Sequence, residues 1–111
     1  MNKSNKIIRT WKGWTTKENA PIYEDMLTNE VFPQVKQKGV TGLEKVSIST
    51  KHHENEVEFF LLLQFDSLES VKFFAGEAYE TAYIPENAKR VLLRYEQTAQ
   101  HYELREELIL K

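Results

Sequence analysis

Residues 58–66, Glu-Phe-Phe-Leu-Leu-Leu-Gln-Phe-Asp, carry apolar side chains on both parities of an extended chain. Phe59, Leu61, Leu63 and Phe65 point one way, Phe60 and Leu62 the other. Burying a large apolar side chain contributes roughly 1.5–3 kcal/mol, so leaving either row in water forfeits several such terms. Both faces of this strand must be covered. Periodicity alone also allows a helix, and the flanks decide. A polar turn at 51–56 precedes the run, and Asp66-Ser67-Leu68-Glu69 after it reads as a helix cap with an acidic first turn.

Upstream, β-branched and aromatic residues at 6–14 predict a first strand. Ile7, Arg9, Trp11 and Gly13 share one face; Ile8, Thr10, Lys12 and Trp14 share the other. Arg9 beside Trp11 either packs its stem and sends its head to water or faces a pocket. Thr15 is placed to cap a helix with Glu18 reaching back, and Pro21 puts the regular helix start near Asn19. Tyr23, Met26, Leu27, Val31 and Val35 recur at helical spacing, with Ile22 and Phe32 beside the stripe. Pro33 is expected to kink this helix and Gly39 to end it.

Gly42 then opens a half-buried edge strand in which Val46 and Ile48 alternate with Lys45, Ser47 and Ser49. Beyond the double-sided strand, a second helix over 67–75 buries Leu68, Val71, Phe74 and Ala75 and stops at Gly76. Residues 77–84 carry Tyr79 and Tyr83 but are too few for a stable helix. Pro85 starts a short helix with Ala88, Val91 and Leu92, and 94–104 alternates as one last strand, with Tyr95 and His101 on the same face. At the end, 106–111, with Leu108, Ile109 and Leu110, reads as a tail that either docks or frays.

The order strand, helix, strand, strand, helix, strand predicts an α+β fold of ferredoxin-like βαββαβ type. Its four-stranded antiparallel sheet carries both helices on one face. The other face is left bare, yet Phe60 and Leu62 make it apolar. A second copy of the same sheet is the simplest cover, so a homodimer is expected.

With 111 residues the chain makes one domain, 1–111. A formal charge of −2, from interspersed 15 basic and 17 acidic residues, leaves no electrostatic footprint for nucleic acid. The absence of cysteine excludes disulfides, thiol nucleophiles and thiolate metal sites. The first six residues precede only the short apolar pair Ile7-Ile8, so no signal peptide is expected, and no run is long enough for a membrane span. A cytoplasmic protein is the expectation.

Chemistry-bearing clusters are few. His52-His53-Glu54-Asn55-Glu56 looks like a solvated hairpin turn, not a metal site, because adjacent strand-end residues point to opposite faces. The glycines are scattered, so there is no phosphate-cradling loop. Ser67 and Ser70 are explained by helix capping.

Several stretches together resemble the antibiotic biosynthesis monooxygenase-like family of dimeric α/β-barrel proteins. They are Arg9-Thr-Trp11-Lys-Gly13-Trp14-Thr15-Thr16 with Glu18-Asn19-Ala20, Glu30-Val31-Phe32-Pro33, Glu56-Val-Glu-Phe59, Phe65-Asp66-Ser67-Leu68, Phe74-Ala75-Gly76-Glu77, Tyr79 and His101-Tyr102-Glu103. The resemblance implies a homodimeric α/β barrel, its two sheets face to face, with a pocket in each subunit between sheet and helices. It also implies oxygenation of a small aromatic or quinol-like metabolite without flavin, haem or metal, hence no cofactor.

Such chemistry needs a base, a cation near the developing anion and a dry aromatic cavity. His101 is the candidate base, since imidazole titrates near neutral pH; the alternative is a strand histidine satisfied by a neighbouring Tyr or Glu. Arg9 is the candidate oxyanion holder, with Trp11, Phe65, Phe74, Tyr79 and Tyr83 as candidate walls for a small apolar or aromatic ligand. Haem is disfavoured, because Lys72-Phe73-Phe74 stands where haem-degrading relatives place part of an Asn, Trp and His set. The competing expectation is a non-catalytic, stress-associated or ligand-binding dimer. Convergence of Arg9 and His101 on one cavity separates the two.

Overall fold

The computed structural model describes residues 5–111, so the expectation about a leader falls partly on residues 1–4, outside the described residues. Strand β1 (Ile7–Thr15) is followed by helices α1 (Ala20–Met26) and α2 (Phe32–Gln37). Then come β2 (Leu43–His52), β3 (Val57–Phe65), α3 (Leu68–Ala75), the short α4 (Glu86–Lys89), β4 (Arg94–Tyr95) and β5 (Gln100–Glu103). The sheet order is β2-β3-β1-β4, with β5 also on β1, and all pairings are antiparallel. This is the ferredoxin-like α+β architecture expected from the element order, with β1 and β3 central and β2 at the edge.

The two rows of β3 separate as their parity requires. Val57, Phe59, Leu61, Leu63 and Phe65 are buried and form the core with Tyr23, Leu27, Val31, Val35 and Val71 from the helices. Phe60 and Leu62 point to the opposite face and are only half buried, as are Ile8, Thr10 and Trp14 beside them on β1. Gln64 is the buried exception in that row. Its amide donates to Glu44 Oε1 at 2.8 Å, and the same carboxylate takes the Lys6 ammonium at 2.6 Å.

Local signals explain most element ends, and two expectations need correction. Thr15 does not cap α1: it is the fully buried last residue of β1, its hydroxyl donating to the Thr16 carbonyl at 2.8 Å. Thr16 holds the turn instead, its Oγ1 accepting from the Asn19 N–H at 3.0 Å, and the helix starts at Ala20 with Pro21 in its first turn. The Pro33 disturbance takes the form of a π-helical turn over Leu27–Val31, in which the Phe32 N–H bonds to the Leu27 carbonyl five residues back. A wider turn relieves the crowding that the proline ring imposes on the carbonyl four residues before it.

Ser67 caps α3 as expected, accepting from the Ser70 N–H at 3.1 Å. Gly76 closes it at φ +91°. No heavy atom stands within 4 Å of a Cβ added there, so Gly76→Ala meets backbone strain alone. Its expected cost is about 1–3 kcal/mol in urea unfolding, since φ +91° with ψ −178° is a region essentially reserved for glycine.

The second correction concerns the final strand, which is interrupted. Tyr95 pairs with Gly13, and Gln100 pairs with Thr10. Four residues, 96–99, therefore lie opposite only two of β1, Trp11 and Lys12. The excess is even, so Tyr95 and His101 stay on the same face of the sheet. The loop is clamped to β1: the Glu96 N–H donates to the Lys12 carbonyl at 3.0 Å, and Glu96 Oε1 accepts from the Lys12 N–H at 3.0 Å. On its outer side it pairs with the stretch after α3, through a Thr81–Thr98 bridge and two backbone bonds, Ala82 N–H to Gln97 (2.9 Å) and Ala99 N–H to Glu80 (2.8 Å).

Residues 105–111 form no strand. Glu107 reaches Lys45 at 3.9 Å, and Leu108, Ile109 and Leu110 are exposed.

Candidate functional site

Arg9 sits in the middle of β1 and points toward the helices, where it is 3% exposed. Register places His101 of β5 directly opposite, and the Arg9 Nη1–H meets His101 Nε2 at 3.1 Å. The same Nη1 donates to the Tyr79 carbonyl at 2.6 Å, and Nη2 to the Thr81 carbonyl at 3.2 Å. The interrupted last strand accounts for this arrangement: its loop holds residues 80–82 from outside, and Arg9 holds the same stretch from inside.

Aromatic rings surround the guanidinium. Phe74 of α3 lies with its centroid 5.3 Å from the Arg9 Cζ, within range of a cation–π attraction. Phe74 in turn packs against Phe65 at 5.5 Å and Tyr83 at 4.9 Å. Tyr79 meets the His101 ring edge to face at 5.1 Å. Trp11 runs along the strand over Gly13, where a Cβ would fall 2.6 Å from its ring, and its Nε1–H donates to the Glu96 carbonyl at 2.8 Å.

Between sheet and helices lies a cavity of about 40 Å³, lined by Arg9, Trp11, Phe74 and Tyr83 together with Tyr23, Leu27, Leu61 and neighbouring apolar residues. Three of the expected residues do not line it. His101 stands behind Arg9, Tyr79 stands against His101, and Phe65 backs Phe74. One lining residue that the sequence assigned only to the helix core is Tyr23; its helical spacing signals burial, but nothing in that spacing signals a phenol tip at a cavity. Since a single water needs roughly 10–15 Å³, the cavity as it stands has room for a few small solvent molecules and not for an aromatic ring.

Electrostatically the site is lopsided. Burial lowers the Arg9 pKa to about 10, which still leaves it cationic at neutral pH. Burial also raises the Tyr23 pKa, keeping that phenol neutral. Arg9 is then the one ionised group on the cavity wall. Among the described residues no carboxylate lies within 4.0 Å of it.

His101 is pushed below its ordinary pKa first by burial and then by the Arg9 charge. An imidazole that accepts from Arg9 at Nε2 carries its proton on Nδ1. Because the folded-state pKa is depressed, the unfolded chain binds the proton more readily. The corresponding stability is present above the ordinary value near 6.5 and is lost as pH falls through and below it. The expected outcome is a melting temperature that falls between about pH 7 and 5, by less in His101→Gln than in the parent chain.

Elsewhere, the histidines flagged in the hairpin go to structural partners or to solvent. His53 Nε2 lies 2.9 Å from Glu58 Oε1, and Lys12 shares that carboxylate at 3.2 Å. His52 is exposed at the end of β2. No group of three or more metal-binding side chains occurs among the described residues, and none of their helices is long and apolar enough to cross a membrane.

No family model matches the chain, and no curated protein matches it. Solved structures do. A candidate antibiotic biosynthesis monooxygenase from Bacillus cereus superposes with a TM-score of 0.61 at 14% identity, over 96% of this chain and 100% of its own. A dimeric ferredoxin-like protein from an uncultured marine organism gives 0.58 at 14% identity, over 97% and 95%. A de novo designed protein, Foldit4, gives 0.59 at 15% identity, over 90% and 99%. A de novo designed chain that superposes as well as the natural ones makes clear what such a likeness carries, which is the fold.

Proposed function

We propose that this protein is a cofactor-independent monooxygenase for a small aromatic or quinol-like metabolite, acting as a homodimer with one pocket per subunit. The observation that supports this most is the contact between Arg9, on the wall of an aromatic cavity, and His101 directly behind it. Likeness in fold to a candidate monooxygenase agrees with it, and likeness to a dimeric ferredoxin-like protein agrees with the pairing of two sheets.

In this reading the substrate supplies the electrons. The Arg9 Nη1–H first turns away from the imidazole, which opens His101 Nε2, the unprotonated ring nitrogen, to the substrate; Nε2 takes the proton and Nη1–H bonds the new oxyanion. The resulting enolate or phenolate passes one electron to dioxygen. Superoxide and the substrate radical then combine to a peroxide anion, which takes back the proton held by His101, and the resulting hydroperoxide loses water to leave a ketone or quinone. Trp11, Phe74 and Tyr83 wall the ring; Phe65 and Tyr79 hold Phe74 and His101 in place. Room for a ring requires the wall to shift, and Tyr83, Ile84 and Pro85, in the irregular stretch before α4, are the lining residues outside helix and strand.

The test is a screen of quinols, flavonoids and small polyketides for oxygen consumption. His101→Ala is expected to abolish uptake with an accepted substrate while circular dichroism stays unchanged. Retained turnover excludes His101 as the base. The occupation of Nε2 by Arg9 favours a second reading, a dimer that binds an aromatic ligand without transforming it. Stabilisation by ligands in a melting assay, with no oxygen uptake by any of them, selects that reading.

A further inference from the structure

We infer that the ligand of the Arg9 cavity is an aromatic acid, a flat apolar body carrying one ionised acidic group. This rests on the proposed use of the cavity as a ligand pocket and goes further by fixing the charge of what enters.

The first observation is a missing counter-charge. Removing a cation from water is costly unless an anion joins it. Arg9 is 3% exposed, and its protein partners are two carbonyl oxygens and an imidazole, all neutral. Carbonyl dipoles offset part of the cost and leave a net positive charge in place.

The second is that the guanidinium is not saturated. Its bonds to Tyr79, Thr81 and His101 use both Nη1 hydrogens and one on Nη2. The Nε–H and the second Nη2–H have no protein acceptor among the described residues. No described side-chain nitrogen or oxygen is both sealed and unbonded, so the unpartnered Nε is not sealed, and Arg9 lines the cavity. A spare guanidinium Nε–H suits a charge-assisted hydrogen bond to a carboxylate or an acidic enolate.

The third is the rest of the wall. Leu27, Val31, Leu61, Leu63 and Phe74 offer no charge, and Tyr23 is a neutral phenol. A ligand that matches this lining is apolar over its body and negative at one point, beside Arg9. A neutral ring of the same shape, admitted by the same shift of residues 83–85, leaves the guanidinium uncompensated.

A matched pair of probes tests the inference: 2-naphthoate and 2-naphthamide, alike in shape and different in charge, titrated by calorimetry and by thermal shift at pH 7.5. The expected result is naphthoate binding about tenfold or more tighter than the amide, with the preference lost in Arg9→Gln and kept in Arg9→Lys. Should Arg9→Gln fail to fold, the parent chain decides alone. Equal affinity for the two probes, tighter binding of the amide, or no binding of either at millimolar concentration overturns the inference. The oxygenase reading fails separately: naphthoate selectivity with no oxygen uptake on any quinol, flavonoid or polyketide of the screen defeats it and leaves the anion site standing, and turnover of neutral quinols by a chain with no acid preference does the reverse.

Discussion

Leu62→Lys is expected to convert a dimer into monomers, with sedimentation showing the dissociation constant raised by about a thousandfold or more. Leu62 lies mid-strand on the face away from the helices, paired with Thr10 of β1 and Ser47 of β2, with Phe60 two residues before it. If two sheets meet through this face, two-fold symmetry brings the new ammonium into the contact twice. Taking each ion out of water costs several kcal/mol, more than the roughly 4 kcal/mol that a thousandfold represents. The fold of each subunit should survive, because this side chain is already half open to water in a lone subunit. A dimer that persists at the same concentrations would remove this face from the subunit contact.

Phe59→Ala should have the largest effect on stability. Phe59 is fully buried, flanked by Gly13 and Thr50 on the adjoining strands, and its ring meets Tyr23 edge to face at 4.9 Å. Truncation of such a ring leaves a hole that β1 and β2 cannot close, since their spacing is set by backbone hydrogen bonds. The expected loss is about 3–5 kcal/mol, against a total of roughly 5–15 kcal/mol for a domain, read from urea unfolding at constant slope. Phe60→Ala, one residue later on the other face, should cost a dilute single subunit far less. If the two substitutions cost the same, the helices do not lie on the side assigned to them.

These two neighbours illustrate what the amino-acid pattern reveals and where it stops. Alternation in β3 is a period of two, and it settles which row meets the helices once the flanks declare a strand. Helix ends were legible at Ser67, Gly39 and Gly76 for equally local reasons: a hydroxyl that reaches the Ser70 N–H, and two backbones at positive φ. Thr15 misled because threonine suits both a cap and a buried strand end, and only packing separates the two. Pro33 signalled a disturbance without its form, since a kink and a π turn both relieve the same crowding.

At the site, Arg9 beside Trp11 on one face was readable, as was the shared face of Tyr95 and His101. Their meeting was not. It depends on a register between the two ends of the chain, and on a four-against-two mismatch, that no stretch of the sequence encodes by itself. The carbonyls of Tyr79 and Thr81 were invisible for a deeper reason: every residue has one, and only the fold aims them.

The mismatched loop also limits how this protein can change. Its length acts as a counter that decides which residue of β5 stands next to Arg9. Drop one residue from 96–99, keep the β1 pairing, and Gln100 or Tyr102 takes the inward seat while His101 turns outward. Drop two, and the imidazole returns, but the outer anchor of residues 80–82 is gone. Homologues that vary here in steps of two can keep an Arg–His couple; those that vary by one must have found another partner for the arginine.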